Sequence, residues 1–153
     1  MFNVVLVEPE IPPNTGNIAR LCLATRSRLH LVKPLGFSVD DRRLRRAGMD
    51  YWDEVDVNYW EGLAEFEAAT RPPCRRFLLT TKSERRYWDA DFREGDYLVF
   101  GRETKGLPES FLLSHPGDCL TIPMAPEARS LNLATAVAII LFEGVRQVRH
   151  HGD

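Results

Sequence analysis

The sequence predicts an α/β protein with a largely parallel sheet flanked by helices. Short β-rich runs alternate with amphipathic helical stretches, the order that βαβ units produce. The runs are enriched in Val, Ile, Leu and aromatic residues, as buried strands are. No internal repeat or low-complexity linker breaks the pattern, so a chain of 153 residues is expected to form one domain, 1–153.

Phe2 to Val7 reads as the first strand. Pro12 and Pro13 place the start of the following helix near Thr15 or Gly16, with Asn14 or Thr15 as its cap and Ile18, Leu21 and Cys22 at i, i+3 and i+4. Leu29 to Val32 is the second strand, and Glu61 to Ala69 a helix with Leu63, Phe66 and Ala69 facing inward. Strands are then predicted at Arg76 to Thr80, Tyr97 to Phe100 and Cys119 to Ile122. The last helix spans Asn132 to Val148. Its apolar positions are Leu133, Val137, Ile140, Leu141, Val145 and Val148, and Ala134, Ala136 and Ala138 keep the rest of its first half small. A helix apolar on most of its circumference is expected to pack on a partner subunit as well as on its own sheet.

An apolar share of 44% and a charged share of 27% exclude a disordered chain. No run approaches the roughly 18 apolar residues of a membrane span. MFNVVLVEPE carries neither a basic leader nor a small-residue cleavage site, so the protein is expected in the cytoplasm. Cys22, Cys74 and Cys119 are odd in number and widely spaced, which predicts three buried free thiols rather than disulfides or a metal site. The four histidines lack metal-ligand spacing, and His150 and His151 read as a frayed tail. No metal is expected.

The net charge of −2 hides an uneven distribution. Residues 1–46 carry eight Lys/Arg against four Asp/Glu, and residues 71–86 six against one, whereas residues 47–70 carry seven acids and no base. Arg42, Arg43, Arg45 and Arg46 form the densest basic cluster. It reads either as a phosphate-binding patch or as a solvated helix face.

Three segments place polar and glycine residues at strand ends, where open α/β sheets bind ligands. They are Pro12-Pro13-Asn14-Thr15-Gly16-Asn17-Ile18-Ala19-Arg20, then Phe100 to Pro108 (FGRETKGLP), then Ile122-Pro123-Met124 with Arg129-Ser130-Leu131-Asn132-Leu133. Leu107 and Pro108 follow Gly106 where a phosphate loop needs Lys and Ser or Thr, so that reading fails, and GxGxxG is absent. Taken singly, Gly101 and Gly106 suit a plain turn, Asn14, Ser130 and Asn132 suit helix caps, and Arg20 suits a surface position.

Together and in this order, the segments resemble the SPOUT superfamily of RNA methyltransferases, and within it the small TrmL-like tRNA ribose 2′-O-methyltransferases. The resemblance runs from VVLVEPEIPPNTGNIARLC through DDRRLRRAGMDYW and DYLVFGRETKGLP to IPM and RSLNLATAVAIILFE. It implies a deep C-terminal trefoil knot, a homodimer with two active sites near its interface, S-adenosyl-L-methionine as cofactor and the tRNA anticodon loop as substrate. Carried over by position, it implies catalytic roles for Arg20, Asn14, Ser130 and Asn132. It implies cofactor contacts from Leu79, Thr80, Gly101, Glu103, Gly106, Ile122, Met124, Ser130 and Leu131. Phe142 departs from the pattern, since some relatives carry Tyr there.

Methyl transfer to a ribose hydroxyl is an in-line displacement that needs positioning and stabilisation of a developing alkoxide. A guanidinium stays protonated in proteins, so Arg20 suits the stabilising role better than that of a base. Two rivals remain at this level: a catalytically idle RNA-binding or ribosome-assembly protein, and a nucleotide-binding domain of another class, which should show a phosphate loop.

Overall fold

The computed structural model describes residues 1–152, without the side chains of residues 48–50 and 150–152; the last helix continues through His150 and His151, where a frayed tail was expected. β1 (Asn3–Val7), β2 (Arg28–Val32), β3 (Val57–Trp60), β4 (Arg76–Leu79), β5 (Tyr97–Phe100) and β6 (Cys119–Leu120) form one sheet in the order β3-β2-β1-β5-β4-β6. Every neighbouring pair is parallel. The α/β expectation therefore holds, with one strand added, because β3 was not anticipated. Its sequence, Val-Asn-Tyr-Trp, is an edge strand with no fully buried residue and gives little hydrophobic signal.

The helices are α1 (Pro12–Ala24), α2 (Arg42–Gly48), α3 (Leu63–Ala69), α4 (Glu109–Ser114) and α5 (Leu133–Gly152). α1 starts earlier than its two prolines suggested. Ile11 is the extended N-cap and the prolines occupy the first helical positions, where no N–H is needed and φ is already helical. Asn14 and Thr15 therefore lie inside the helix rather than capping it. On α3, Phe66 is buried and Leu63 half-buried, but Ala69 is exposed, contrary to expectation.

Side-chain alternation along β1 divides the core. Val4 and Leu6 pack with Ile18, Leu44, Val137, Ile140 and Leu141 beneath α1, α2 and α5. Val5 and Val7 pack on the other face with Phe66, Phe111 and Leu112 of α3 and α4. Burial pushes the Cys22 thiol up to about 12, so it is an inert core group. Cys119 is buried too, but Cys74 is exposed, which corrects the expectation of three buried thiols. It lies in the loop before β4, behind two prolines that have no ladder to join.

A polar chain crosses three strands. The Trp60 indole N–H donates to His30 Nδ1 at 3.0 Å, and His30 Nε2 lies 2.9 Å from Asn3 Oδ1. Because an indole only donates, Nδ1 is the acceptor and Nε2 carries the proton. Asn3 Nδ2 completes the chain by donating to the Gly95 carbonyl at 3.0 Å. Burial, aided by the Arg28 charge, lowers the His30 pKa to about 4, so the ring is neutral. Among the described residues no helix is long and apolar enough to cross a membrane.

Candidate active site

The strand order reverses direction between β1 and β5, the usual place for a ligand crevice. Here that point is closed. Glu8, at the end of β1, adopts φ 53°, a left-handed conformation unfavourable for a residue with a Cβ. Its carboxylate is held by the Arg102 guanidinium at 2.8 Å. The Glu103 carboxylate accepts the backbone N–H groups of Glu10 and Ile11 at 2.8 and 3.1 Å. Glu10 answers by accepting from the Thr104 N–H at 3.1 Å and from its hydroxyl at 2.7 Å. These Thr104 bonds hold the Glu10 carboxyl below the usual carboxylate range. The loop after β1 and the loop after β5 are thus clasped by two reciprocal carboxylates.

The open space lies beside this clasp. A cleft of about 410 Å³, within the range of small-molecule sites, is walled by the segments that follow β4, β5 and β6. All nine residues implied as cofactor contacts line it: Leu79, Thr80, Gly101, Glu103, Gly106, Ile122, Met124, Ser130 and Leu131. The β5 loop is folded tightly, with the Gly106 N–H donating to the Arg102 carbonyl at 2.9 Å. A Cβ on Gly101 would stand 2.1 Å from the Gly106 carbonyl carbon, and Gly106 itself has φ 68°. Both glycines are therefore required by the backbone, the first by close approach and the second by conformation. Glu103 differs from the other eight, because both its carboxylate oxygens are already taken by backbone N–H groups.

The sequence reading missed several lining residues. Leu107 and Leu133 add apolar wall, and Lys82, Lys105 and Arg129 add cations with no ion pair among the described residues. Lys105 stood inside a quoted motif. Lys82 had only the basic run 71–86 to mark it. The cleft suits an amphipathic cationic nucleoside such as S-adenosyl-L-methionine in three respects. It has an apolar floor from Leu79, Ile122 and Leu133, glycine backbone at its wall, and an irregular stretch from Ile122 to Leu131 whose backbone polar groups are not consumed by a β-ladder.

Arg20 does not line this cleft. It is exposed on α1 and borders a second, wider groove with Asn17, Leu21, Tyr51, Asn132 and Thr135, its guanidinium 5.6 Å from the centre of the Tyr51 ring. The start of α5 divides the two hollows, since Leu131 and Leu133 face the cleft while Asn132 and Thr135 face the groove. Asn132 caps α5 by accepting the Thr135 N–H at 3.2 Å, and its amide donates to Asn14 Oδ1 at 3.0 Å. Asn14 and Asn132 are thus joined, Arg20 stands beside them, and Ser130 is exposed at the rim of the cleft. Tyr51 stands in the segment DDRRLRRAGMDYW but was given no role there.

The arginine cluster also divides. Arg43 makes a two-pronged pair with Asp41 at 3.1 and 3.2 Å. Arg45 binds Asp53 at 3.2 Å and the Val39 carbonyl at 3.1 Å. Arg42 and Arg46 are exposed, one helical turn apart, with no ion pair among the described residues. Among those residues no three His, Cys, Asp or Glu side chains gather as a metal site.

Comparison with known proteins agrees with this geometry. Residues 1–142 match the model of the SpoU rRNA Methylase family. A tRNA (cytidine(34)-2′-O)-methyltransferase of Burkholderia cenocepacia is 49% identical over 154 aligned positions, covering 99% of each chain. A solved structure described as giving insights into the 2-OH methylation of C/U34 on tRNA superposes with a TM-score of 0.92 at 45% identity, covering 96% of this chain and 95% of the other. An AdoMet-bound rRNA methyltransferase from Sinorhizobium meliloti superposes with a TM-score of 0.85 at 27% identity, covering 95% of this chain and 56% of the other. The sheet, the three motif segments and the full-length match agree: the chain belongs to the SpoU rRNA methylase family, whose fold is that of the SPOUT methyltransferases.

Proposed function

We propose that the protein transfers a methyl group from S-adenosyl-L-methionine to the ribose 2′-hydroxyl of the wobble nucleotide of tRNA, cytidine or modified uridine at position 34, releasing S-adenosyl-L-homocysteine. The observation that carries this reading is the cleft beyond β4, β5 and β6, which gathers nine implied cofactor contacts from the end of β4 and from the second and third motif segments. The names of the full-length relatives support the tRNA substrate.

When bound, the cofactor supplies an activated sulfonium methyl, so the protein's task is to place the hydroxyl and manage its charge. Leu79, Ile122 and Met124 exclude water along the floor of the cleft. Gly101 and Gly106 bring backbone close to the ligand, and Glu103 holds that loop against the start of α1. The Arg20 guanidinium, in the groove across the start of α5, stabilises negative charge as the 2′-hydroxyl loses its proton to water, and it also grips an adjacent phosphate. Asn14 and Asn132 fix α1 against the start of α5 and so set where Arg20 stands, while Ser130 orients the ribose at the rim. Arg42 and Arg46 attract the RNA backbone, with Arg43 and Arg45 contributing field rather than direct contacts.

The reading also takes the chain to be a single cytoplasmic domain with its C-terminal part tied in a trefoil knot, working as a homodimer. The outer side of α5 supports the dimer. Phe142 is 47% exposed, and an apolar group of this size on a long helix suits a second copy. The test is methylation of a tRNA pool with labelled cofactor followed by mapping of the modified ribose. Thermal stabilisation by S-adenosylhomocysteine, and not by ATP or NAD, is expected alongside it. Label found only on a base, or none at all, would overturn the reading.

A further inference from the structure

Arg85 and Arg86, in the second basic block of the chain (residues 71–86), are accounted for neither by the cofactor cleft nor by the arginines of α2. The last part of this block is held rigidly. The Thr121 N–H donates to the Arg85 carbonyl at 2.8 Å and the Tyr87 N–H to the Thr121 carbonyl at 2.9 Å, so that Arg86 pairs with Thr121 as a short parallel extension of the sheet beyond β6. The Ser83 hydroxyl donates to the Cys119 carbonyl at 3.2 Å, and Arg85 reaches the Gly117 carbonyl at 3.1 Å. Thr121 and Lys82 both line the cleft.

On this edge stands Trp88, 49% exposed and the most exposed aromatic side chain among the described residues. The Arg86 guanidinium lies 5.4 Å from the centre of its ring, kept there by Asp89 at 3.1 Å. Tyr87 meets it edge-on at 5.4 Å. Adjacent strands lie about 4.8 Å apart and two residues span about 7 Å, so Trp88 stands within roughly 12 Å of the cleft wall at Thr121. Glu84 and Asp89 are acidic neighbours, yet Lys82, Arg85 and Arg86 leave the segment cationic overall. An exposed aromatic face backed by a guanidinium, among cations and beside a cleft that takes a ribose, suits an unstacked base of single-stranded RNA.

We propose that Trp88, backed by Arg86 and flanked by Lys82 and Arg85, is a stacking platform for an unpaired base of the substrate RNA, next to the nucleotide whose ribose enters the cleft. This rests on the methyltransferase reading above. It adds a base contact that the three motif segments do not contain.

The experiment titrates the full-length protein with a synthetic RNA stem-loop and with the same stem closed by an abasic loop, following tryptophan fluorescence. Trp52 is buried and the indole N–H of Trp60 is bonded to His30, so a change on binding reports chiefly on Trp88. Trp88→Leu should weaken stem-loop binding about tenfold and abolish the fluorescence change, Trp88→Phe should retain most of the affinity, and stabilisation by S-adenosylhomocysteine should be unchanged in both. The wild type should prefer the stem-loop with bases over the abasic one, a comparison that holds even if Trp88→Leu folds poorly. Equal binding of both RNAs by the wild type would overturn the platform, as would wild-type affinity in Trp88→Leu, or a change of oligomeric state in that variant showing that Trp88 serves a second copy. Failure of the methyltransferase reading would look different: the wild type itself would transfer no methyl group and gain no stability from S-adenosylhomocysteine.

Discussion

At the ends of β1 and β5 the polar side chains are turned on one another, whereas one strand over, beyond β4, β5 and β6, they face open space. The same loop, Gly101 to Gly106, serves both regions. Arg102, Glu103 and Thr104 are committed to Glu8, to the N–H groups of Glu10 and Ile11, and to Glu10. Lys105 and the two glycines line the cleft without such partners in side chain or need. Residues of one motif thus divide into those that hold the scaffold and those left to bind. A hydrogen-bond account separates the two where residue type does not.

The sharpest way to test that division is to compare a residue held to act with one held to support. Arg20→Ala should lower turnover about 10²–10³-fold while leaving S-adenosylhomocysteine affinity and melting temperature nearly intact, as expected when a donor of charge stabilisation is lost. Wild-type turnover in that variant would remove Arg20 from the chemistry. Glu103→Gln should behave in the opposite way. One amide oxygen remains to accept, but the NH₂ group then faces a backbone N–H, and the loss of a charge-assisted bond costs about 1.5–3 kcal/mol. In a chain of this length that lowers the melting temperature by about 3–12 °C, and cofactor affinity should fall with it. An unchanged melting temperature would mean that the clasp is not what holds the two loops.

A smaller effect is expected from the arginine cluster. Replacing Arg42 and Arg46 together should flatten the salt dependence of tRNA binding by about one slope unit per lost phosphate contact, whereas Arg43→Ala should change it less because Asp41 already neutralises that charge. Equal effects at all positions would place the whole cluster in the solvated surface. The last comparison lies far from the cleft. His30 has a folded pKa of about 4, below its unfolded value of about 6.5. Its contribution to stability is therefore complete above about pH 6.5 and is lost as pH falls toward 4. The gap in melting temperature between wild type and His30→Gln should narrow over that window, and a constant gap would show that the imidazole does not titrate there.

Five of the six strands and three of the five helices were legible as hydrophobic period and punctuation. What escaped was local compensation: Ile11 as an extended cap lets α1 absorb both prolines, and β3 at the sheet edge does not need a fully apolar run. The cleft was legible in its nine implied contacts, most of which lie in two motif segments, but not in Lys82, whose place in the wall only the fold reveals. The clasp was not, since Glu10 and Glu103 look like ordinary surface acids until the fold brings positions 93 residues apart together. The separation of Arg20 from the cleft was hidden for the same reason, because sequence order does not say on which side of α5 a residue falls.

Asn132 shows what such a junction demands. The Thr135 N–H requires an acceptor, which fixes the direction of the Asn132 amide and leaves its NH₂ pointing at Asn14. Aspartate would cap the helix as well but has no proton to give, so its charge would meet the Asn14 oxygen. One side chain therefore works as a two-ended latch between segments 118 residues apart. Its polarity registers whether the first and last long helices have met in the right orientation, so the beginning of the chain is checked against its end before Arg20 can occupy its place.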